Sequence, residues 1–318
     1  MIKRISVLFF INLAAVSCCV AETDIKALTR DADRILRAGL RDKNDRIRAN
    51  AIEVVSQTNQ SELMGEVAAL LKDPSIIVRF AAAAAIGDMN YTPATDQLKQ
   101  SVKDPDLNVV LASNYAMYKL GHKKSYKVIE QHAMSTNQTV RANAAMLLGK
   151  LGKKESLPIL YKIKDSSEST NTAAFNATES IARIGDEKIY KKIWTMLISV
   201  YADDRYMGAH AMAAFGGTRG ANALITLLDD EIPEVRLTAA EQLATLGDRS
   251  GKTVVQDYFI KPPDDKAALE RCNALAALAI GQIGDLQLAG YLPKLLQSES
   301  PFVQLAAAKS VLMLDKAR

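Results

Sequence analysis

Histidine and cysteine are scarce in this chain: three of each among 318 residues, with one tryptophan and 6% aromatics. Protein metal sites are built largely from those two side chains. None of His122, His132 and His210 stands at a ligand spacing from another, so neither a metal site nor a cofactor is expected. Two of the three cysteines lie in the first nineteen residues, and no disulfide framework can be read from the third. A net charge of +4 is too small for this length to argue for nucleic acid, which is usually bound by a concentrated basic face. No segment alternates convincingly with period two, so strands are not expected.

The one long apolar run is N-terminal, in "MIKRISVLFFINLAAVSCCVAETD". Basic residues, about 12 apolar residues and then small ones have the build of a secretory signal, and the run is short for a roughly 30 Å hydrocarbon core. Two processing routes fit it. Cleavage after Ala21 would release a soluble protein, residues 22–318; alternatively, Ala15-Val16-Ser17-Cys18 resembles a lipobox, with the signal ending before Cys18 and a lipid tethering the chain to a membrane. Both imply export to a bacterial cell envelope, periplasmic or anchored at the outer membrane.

What the chain has in abundance is alanine. "DPSIIVRFAAAAAIGD", residues 73–88, carries five in a row. Alanine is the best helix former and offers almost nothing for catalysis, so its role is packing. Stepping by 31 from Val78 in both directions gives Ile47, Val109 and Val140, then, with two enlarged joints, Ala173, Asp204, Val235, Cys272 and Val303. These nine anchors define nine copies. Glycine follows twelve residues later in Gly121, Gly152, Gly185, Gly216, Gly247 and Gly284, as a left-handed helix end needs, and Gly87 is expected to stop its helix earlier. Asp42, Asp73, Asp104, Ser135, Asp230 and Ser298, five before their anchors, read as N-caps, with Pro74 and Pro105 as first-turn prolines. A second apolar pattern at helical spacing precedes each, as in "SELMGEVAALLKD".

Each unit is therefore a helix pair that cannot bury its own apolar face, and stacked neighbours make an all-α solenoid. At 8–10 Å between packed helices, nine units predict a curved rod on the order of 80 Å long. The pattern of residues 73–88, repeated in "EIPEVRLTAAEQLATLGDRSGKTVV" and "NQTVRANAAMLLGKLGKKESLPIL", resembles the short HEAT repeats of the bilin-lyase-like type. The resemblance covers about residues 24–315. It implies an α-α superhelix and is unspecific for function, because such repeats serve adaptors, scaffolds, chromophore lyases and a metal-dependent hydroxylase alike.

No constellation of residues argues for catalysis. "GDRSGKT", Gly247 to Thr253, has three residues between its glycines where a phosphate-binding loop needs four, and a helical pattern precedes it where a strand is needed. The hydroxylases of the resemblance carry His-Glu dipeptides, whereas the histidines here precede Lys, Ala and Ala. Cys272, at an anchor, is expected to pack as a small hydrophobe. Arg48, Arg79, Arg141, Arg205 and Arg236 recur one past the anchor, and Asp88, Asp186, Asp248 and Asp285 recur in following turns, predicting a ladder of ion pairs between neighbours.

The remaining surface is a concave groove lined by second helices. Positions 2, 3, 6 and 10 past the anchor face away from the packed side. In the middle copies these are Phe80, Leu111, Tyr115, Lys119, Met146, Lys150, Phe175, Asn176, Glu179, Arg183, Tyr206, Met207 and His210. Aromatics, methionine and arginine carry much of the binding energy at interfaces. The expectation is a non-enzymatic scaffold that presents this groove to a protein or peptide, with copy two as bare scaffold. The alternative is a lyase-like or chaperone-like protein holding a prosthetic group or small ligand. The Pro-rich loop Ile260–Asp265 is expected to protrude. A final helix without a polar cover leaves end-to-end association open for an otherwise monomeric chain.

Overall fold

The computed structural model describes residues 24–317, so both processing routes at the N-terminus lie outside the described residues. Within them are eighteen α-helices and no strand. They form nine pairs: α1 (Ile25–Leu40) with α2 (Asp45–Gln57), α3 (Met64–Ala69) with α4 (Ile76–Asp88), α5 (Thr95–Ser101) with α6 (Leu107–Lys119), α7 (Tyr126–His132) with α8 (Gln138–Leu151), and α9 (Leu157–Asp165) with α10 (Asn171–Ile184). The series continues with α11 (Tyr190–Leu197) and α12 (Ala202–Phe215), α13 (Gly217–Ile225) and α14 (Pro233–Thr245), α15 (Lys252–Ile260) and α16 (Lys266–Ile283), and α17 (Leu292–Leu296) and α18 (Pro301–Lys316). Each even-numbered helix packs on the next even one, so these form the inner layer. The architecture is the expected HEAT-like repeat solenoid.

Helix starts differ from expectation by two residues. The capping side chains are Asn44, Asp106, Asn137, Thr170 and Asp265, each accepting from a backbone N–H in the first turn. Asp73 and its equivalents instead fold the chain into a turn by accepting the N–H two residues on, and this delays the helix. Pro74 and Pro105 consequently sit in the turn before the cap. Helix ends follow the pattern: Gly152 has φ 66°, and Asn59 and Asn90, at φ 58° and 48°, take the same place in the first two copies. Gly87 does not stop its helix. It lies inside α4, where an added Cβ would come within 2.8 Å of Ala116 Cα and Tyr115 Cε1.

The alanine run is the same kind of contact. Ala81, Ala82, Ala83 and Ala85 are buried where α4 lies between α2 and α6. Methyl groups let the backbones approach. At the α8–α10 crossing even a methyl is excluded, because a Cβ on Gly149 would stand 2.1 Å from Ser180 Oγ. Ser180 in turn donates to Ala145 O at 2.9 Å, so its buried hydroxyl is satisfied across the joint.

The arginine ladder exists, with different carboxylates. Arg48 forks onto Asp73 (2.8 and 2.9 Å), Arg79 onto Asp104 (2.9 and 3.0 Å) and Arg205 onto Asp230 (2.6 and 2.9 Å), each pair largely buried and each bridging adjacent copies. The same guanidinium also donates to its own copy's turn carbonyl: Asp42 O, Asp73 O and Ser199 O respectively. Arg141 donates to Ser135 O and Ser169 Oγ, and Arg236 only to carbonyls of its own copy. Asp88, Asp186, Asp248 and Asp285 belong to other networks: Asp186 and Asp248 cap backbone N–H groups, and Asp285 accepts from Lys252.

The largest departure is global. α18 packs along α1 and touches α2, so the first and last described helices meet and the solenoid is a closed ring, not a curved rod. One core contains Ile25, Leu36 and Leu40 of α1 together with Val303, Leu305 and Leu312 of α18. A turn of roughly 40° per copy returns nine copies to their start. The apolar last helix, which lacks a polar cover, is covered by the first. Within one chain that contact forms at high effective concentration, and the surface expected for end-to-end association is used internally.

Candidate functional site

Closing the ring converts the concave groove into a lumen. Position 6 past the anchor, read around all nine copies, is Glu53, Ala84, Tyr115, Met146, Glu179, His210, Glu241, Leu278 and Lys309. A cavity of about 380 Å³ lies between α2, α4, α8 and α10, which are not all neighbours in the stack. Its lining joins Phe80, Met146, Lys150, Asn176, Glu179 and Arg183 of the expected groove with Glu53, Asp88 and the methyls of Ala81 and Ala84. Copy two, expected to be bare scaffold, supplies the apolar wall.

Asp88 organises this cavity. One carboxylate oxygen accepts from Tyr115 Oη, and the other from Lys150 Nζ at 2.6 Å, two copies away. Tyr115 is 1% exposed, so it supports the wall and offers no free surface. Burial and the Asp88 charge push its hydroxyl well above the ordinary range. Glu179 pairs with Arg183 one turn on. Among the described residues Glu53 has no ion-pair partner. It is wetted yet ringed by protein, and burial raises its carboxyl against the opposing pull of Lys150 and Lys309.

Glu241, on α14, is 8% exposed and also lacks an ion-pair partner. Burial raises its carboxyl, opposed by the charge of Lys309, by His210 and by the neighbouring Gln242 amide. Lys309 therefore acts on both Glu53 and Glu241, which stand six copies apart in sequence order. Glu53, Glu241 and Lys309 were not among the residues singled out from the sequence, and Asp88 was named there only as a carboxylate of the expected ion-pair ladder. The same position 6 and position 10 rule identifies all four once it is applied to the end copies as well as the middle ones.

Other expected groove residues are dispersed. Phe175 and Met207 line a cleft of about 440 Å³ shared with Lys164 and Lys192 of the outer helices. Leu111 is fully buried, and Lys119 is exposed at the C-terminal end of α6. His210 makes an edge contact with Tyr206, ring centroids 5.0 Å apart. Cys272 is buried, its thiol pushed up to about 12 by burial, in keeping with a packing role.

A second surface lies at the mouth formed by the N-terminal ends of α12, α14 and α16. Val200, Tyr201 and Ile260 are 85%, 70% and 79% exposed. Beside them is a predominantly apolar cleft of about 850 Å³, lined by Tyr206, Ile232, Pro233, Pro263 and Leu275 among others. The loop of residues 260–265 supplies Ile260 and Pro263, so the enlarged joint does shape this rim. Asp265, the loop's last residue, caps α16.

The "GDRSGKT" stretch is the turn from α14 into α15. Gly251 sits where a Cβ would meet Ala240 at 2.5 Å, and Lys252 is held by Asp285 and Gln287. Among the described residues no group of three or more His, Cys, Asp or Glu could hold a metal ion, and no helix is long and apolar enough to cross a membrane.

The family patterns for HEAT repeats match residues 33–118 and 221–250, in keeping with the HEAT-like solenoid. By sequence, nothing matches among curated proteins. Among solved structures, the chain is similar to a chain of the complex of CpcE and CpcF of phycocyanin lyase from Nostoc (15% identity, TM-score 0.46, covering 77% of this chain and 93% of that one). It is also similar to human deoxyhypusine hydroxylase (15% identity, TM-score 0.41, covering 82% and 99%). At this level of similarity neither bears on what this chain does.

Proposed function

We propose that the protein is a non-enzymatic scaffold that binds a protein or peptide at the mouth of its ring, on the rim of copies six to eight. The supporting observation is the 850 Å³ apolar cleft, with the exposed side chains of Val200 and Tyr201 next in sequence to its Ala202 wall and that of Ile260 just before its Pro263. Single surface apolar residues are ordinary, but an apolar cleft of this size flanked by exposed large apolar side chains is what partner surfaces look like. A ring whose inner wall is locked by pairs such as Asp88–Lys150 leaves the mouth as the accessible surface for a folded partner. Export to a bacterial cell envelope, with cleavage after Ala21 or lipidation at Cys18, is part of the proposal and rests on the sequence of residues 1–21. Replacing Val200, Tyr201 and Ile260 together by aspartate should abolish recovery of the partner from envelope extracts while leaving the melting temperature unchanged. Undiminished recovery would sink the rim as the binding surface.

A second role is favoured by the lumen cavity, whose 380 Å³ lies within the roughly 300–1,000 Å³ of small-molecule sites. With Glu53 unpaired beside an alanine wall, it suits a small ligand and not a folded protein. Native mass spectrometry of the purified protein should show bound small mass that disappears in Ala84→Trp; identical spectra for both would rule the ligand out.

A further inference from the structure

The closing joint repeats an internal joint with one part missing. In the three complete rungs, an aspartate five before the anchor accepts the N–H two residues on: Ser75 to Asp73 at 2.8 Å, Asp106 to Asp104 at 2.9 Å and Ile232 to Asp230 at 2.9 Å. Each then receives a forked guanidinium from the preceding copy. Asp42 forms the same turn, accepting from Asn44 N at 2.7 Å. Around the ring, the copy preceding it is the ninth.

At the arginine position of copy nine stands Gln304. Its Nε2 donates to Ser298 O at 2.7 Å, and Ser298 O corresponds to the turn carbonyl that Arg48, Arg79 and Arg205 each bind in their own copies. Glutamine thus makes the half of the rung within its copy and is too short for the half between copies. Among the described residues no cation pairs with the Asp42 carboxylate; Arg48 donates to Asp42 O. Asp42 and Gln304 face a common cavity of about 420 Å³ with apolar walls that include Leu28, Ile35, Leu296 and Leu305. Arg34 also lines it, but is paired with Asp31 of its own helix at 2.6 Å.

We propose that this cavity is a binding site for a guanidinium carried on an aliphatic stem, the head group forking onto Asp42 and the stem lying on Leu28, Ile35 and Leu305. The chemistry is specified three times over by the chain's own rungs: a planar fork matches a carboxylate bidentately, which an ammonium cannot do. An arginine side chain of a partner peptide and a free alkylguanidine both carry that group. The site is independent of the rim at copies six to eight, and neither depends on the other.

Thermal melts of the full chain titrated with n-butylguanidinium, n-butylammonium, neutral n-butylurea and a blocked Ala-Arg-Ala peptide test this. Butylguanidinium is expected to raise the melting temperature saturably, with at least tenfold weaker binding for the ammonium and none for the urea. Asp42→Asn should weaken butylguanidinium binding at least tenfold. Gln304→Arg should raise the melting temperature without ligand and abolish the response, because the chain then fills its own site. A peptide that binds at least as tightly as butylguanidinium identifies a partner's arginine as the occupant, and a weaker one a free small molecule. The proposal is overturned if butylguanidinium has no effect, if its effect survives in Asp42→Asn, or if Arg34→Ala lowers the melting temperature as Asp42→Asn does, which would make Arg34 the partner of Asp42.

Discussion

The joint between copies two and three and the joint between copies nine and one are the same junction built twice, once tightly and once loosely. In the first, Gly87 lets α6 approach to contact distance, Arg79 and Asp104 lock the turns, and Tyr115 reaches back to Asp88. In the second, α18 lies mainly on α1 and only partly on α2, the fork is absent, and a 420 Å³ cavity stands in its place. Interior packing without voids is what makes a joint rigid. The joint between copies two and three is therefore the tighter of the two.

Breaking an internal joint should have the largest effect. Gly149→Leu forces α8 away from Ser180 and is expected to cost about 3 kcal/mol or more, measured by urea denaturation. A cost below about 1 kcal/mol would mean that the crossing is not as close as described. Arg79→Met leaves Asp104 buried without its cation and should cost about 3 kcal/mol. Leu305→Ala, at the closing joint, is expected to cost about 2 kcal/mol and to accelerate hydrogen exchange in α1 and α18 before other helices. Equal acceleration in every inner helix would remove the distinction between the two kinds of joint.

The smallest expected effect comes from the lumen, which exists only because the ring closes. Burial holds Glu53 and Glu241 above the ordinary carboxylate range, so the folded chain takes up protons at higher pH than the unfolded one. Their contribution to stability therefore improves as pH falls through the raised folded values, and levels off below the ordinary value. Glu241→Gln removes a buried charge without an ion-pair partner and should stabilise the protein by about 1 kcal/mol at pH 8, and less at pH 5. Denaturation at the two pH values checks the sign; destabilisation at pH 8 would show that the Glu241 charge is well compensated in the folded chain.

The repeat and its inner face were legible because they are local. Glycine or asparagine at a left-handed helix end, alanine at a close crossing, and residues six and ten past the anchor follow from helical geometry alone. Closure was not legible, because it is the sum of small rotations over nine copies and no single copy encodes it. Missing it hid part of the lumen: Glu53 belongs to copy one, and Glu241 and Lys309 to copies seven and nine, which lie far from it in an open rod. The ladder's arginines were legible and its carboxylates were not, since Asp73 before a helix resembles a cap until the turn it forms is seen. The signal segment remains an expectation drawn from residues 1–21.

Closure itself is the central claim, and a distance across the closing joint tests it most directly. Spin labels on Arg34→Cys and Gln297→Cys, with Cys18 and Cys19 replaced by serine and the buried Cys272 left in place, sit on opposite sides of the 420 Å³ cavity. A closed ring predicts a single narrow distribution below about 30 Å, a few helix spacings with the label tethers included. A dominant population near 60 Å or beyond, as an open nine-copy rod requires, would contradict it.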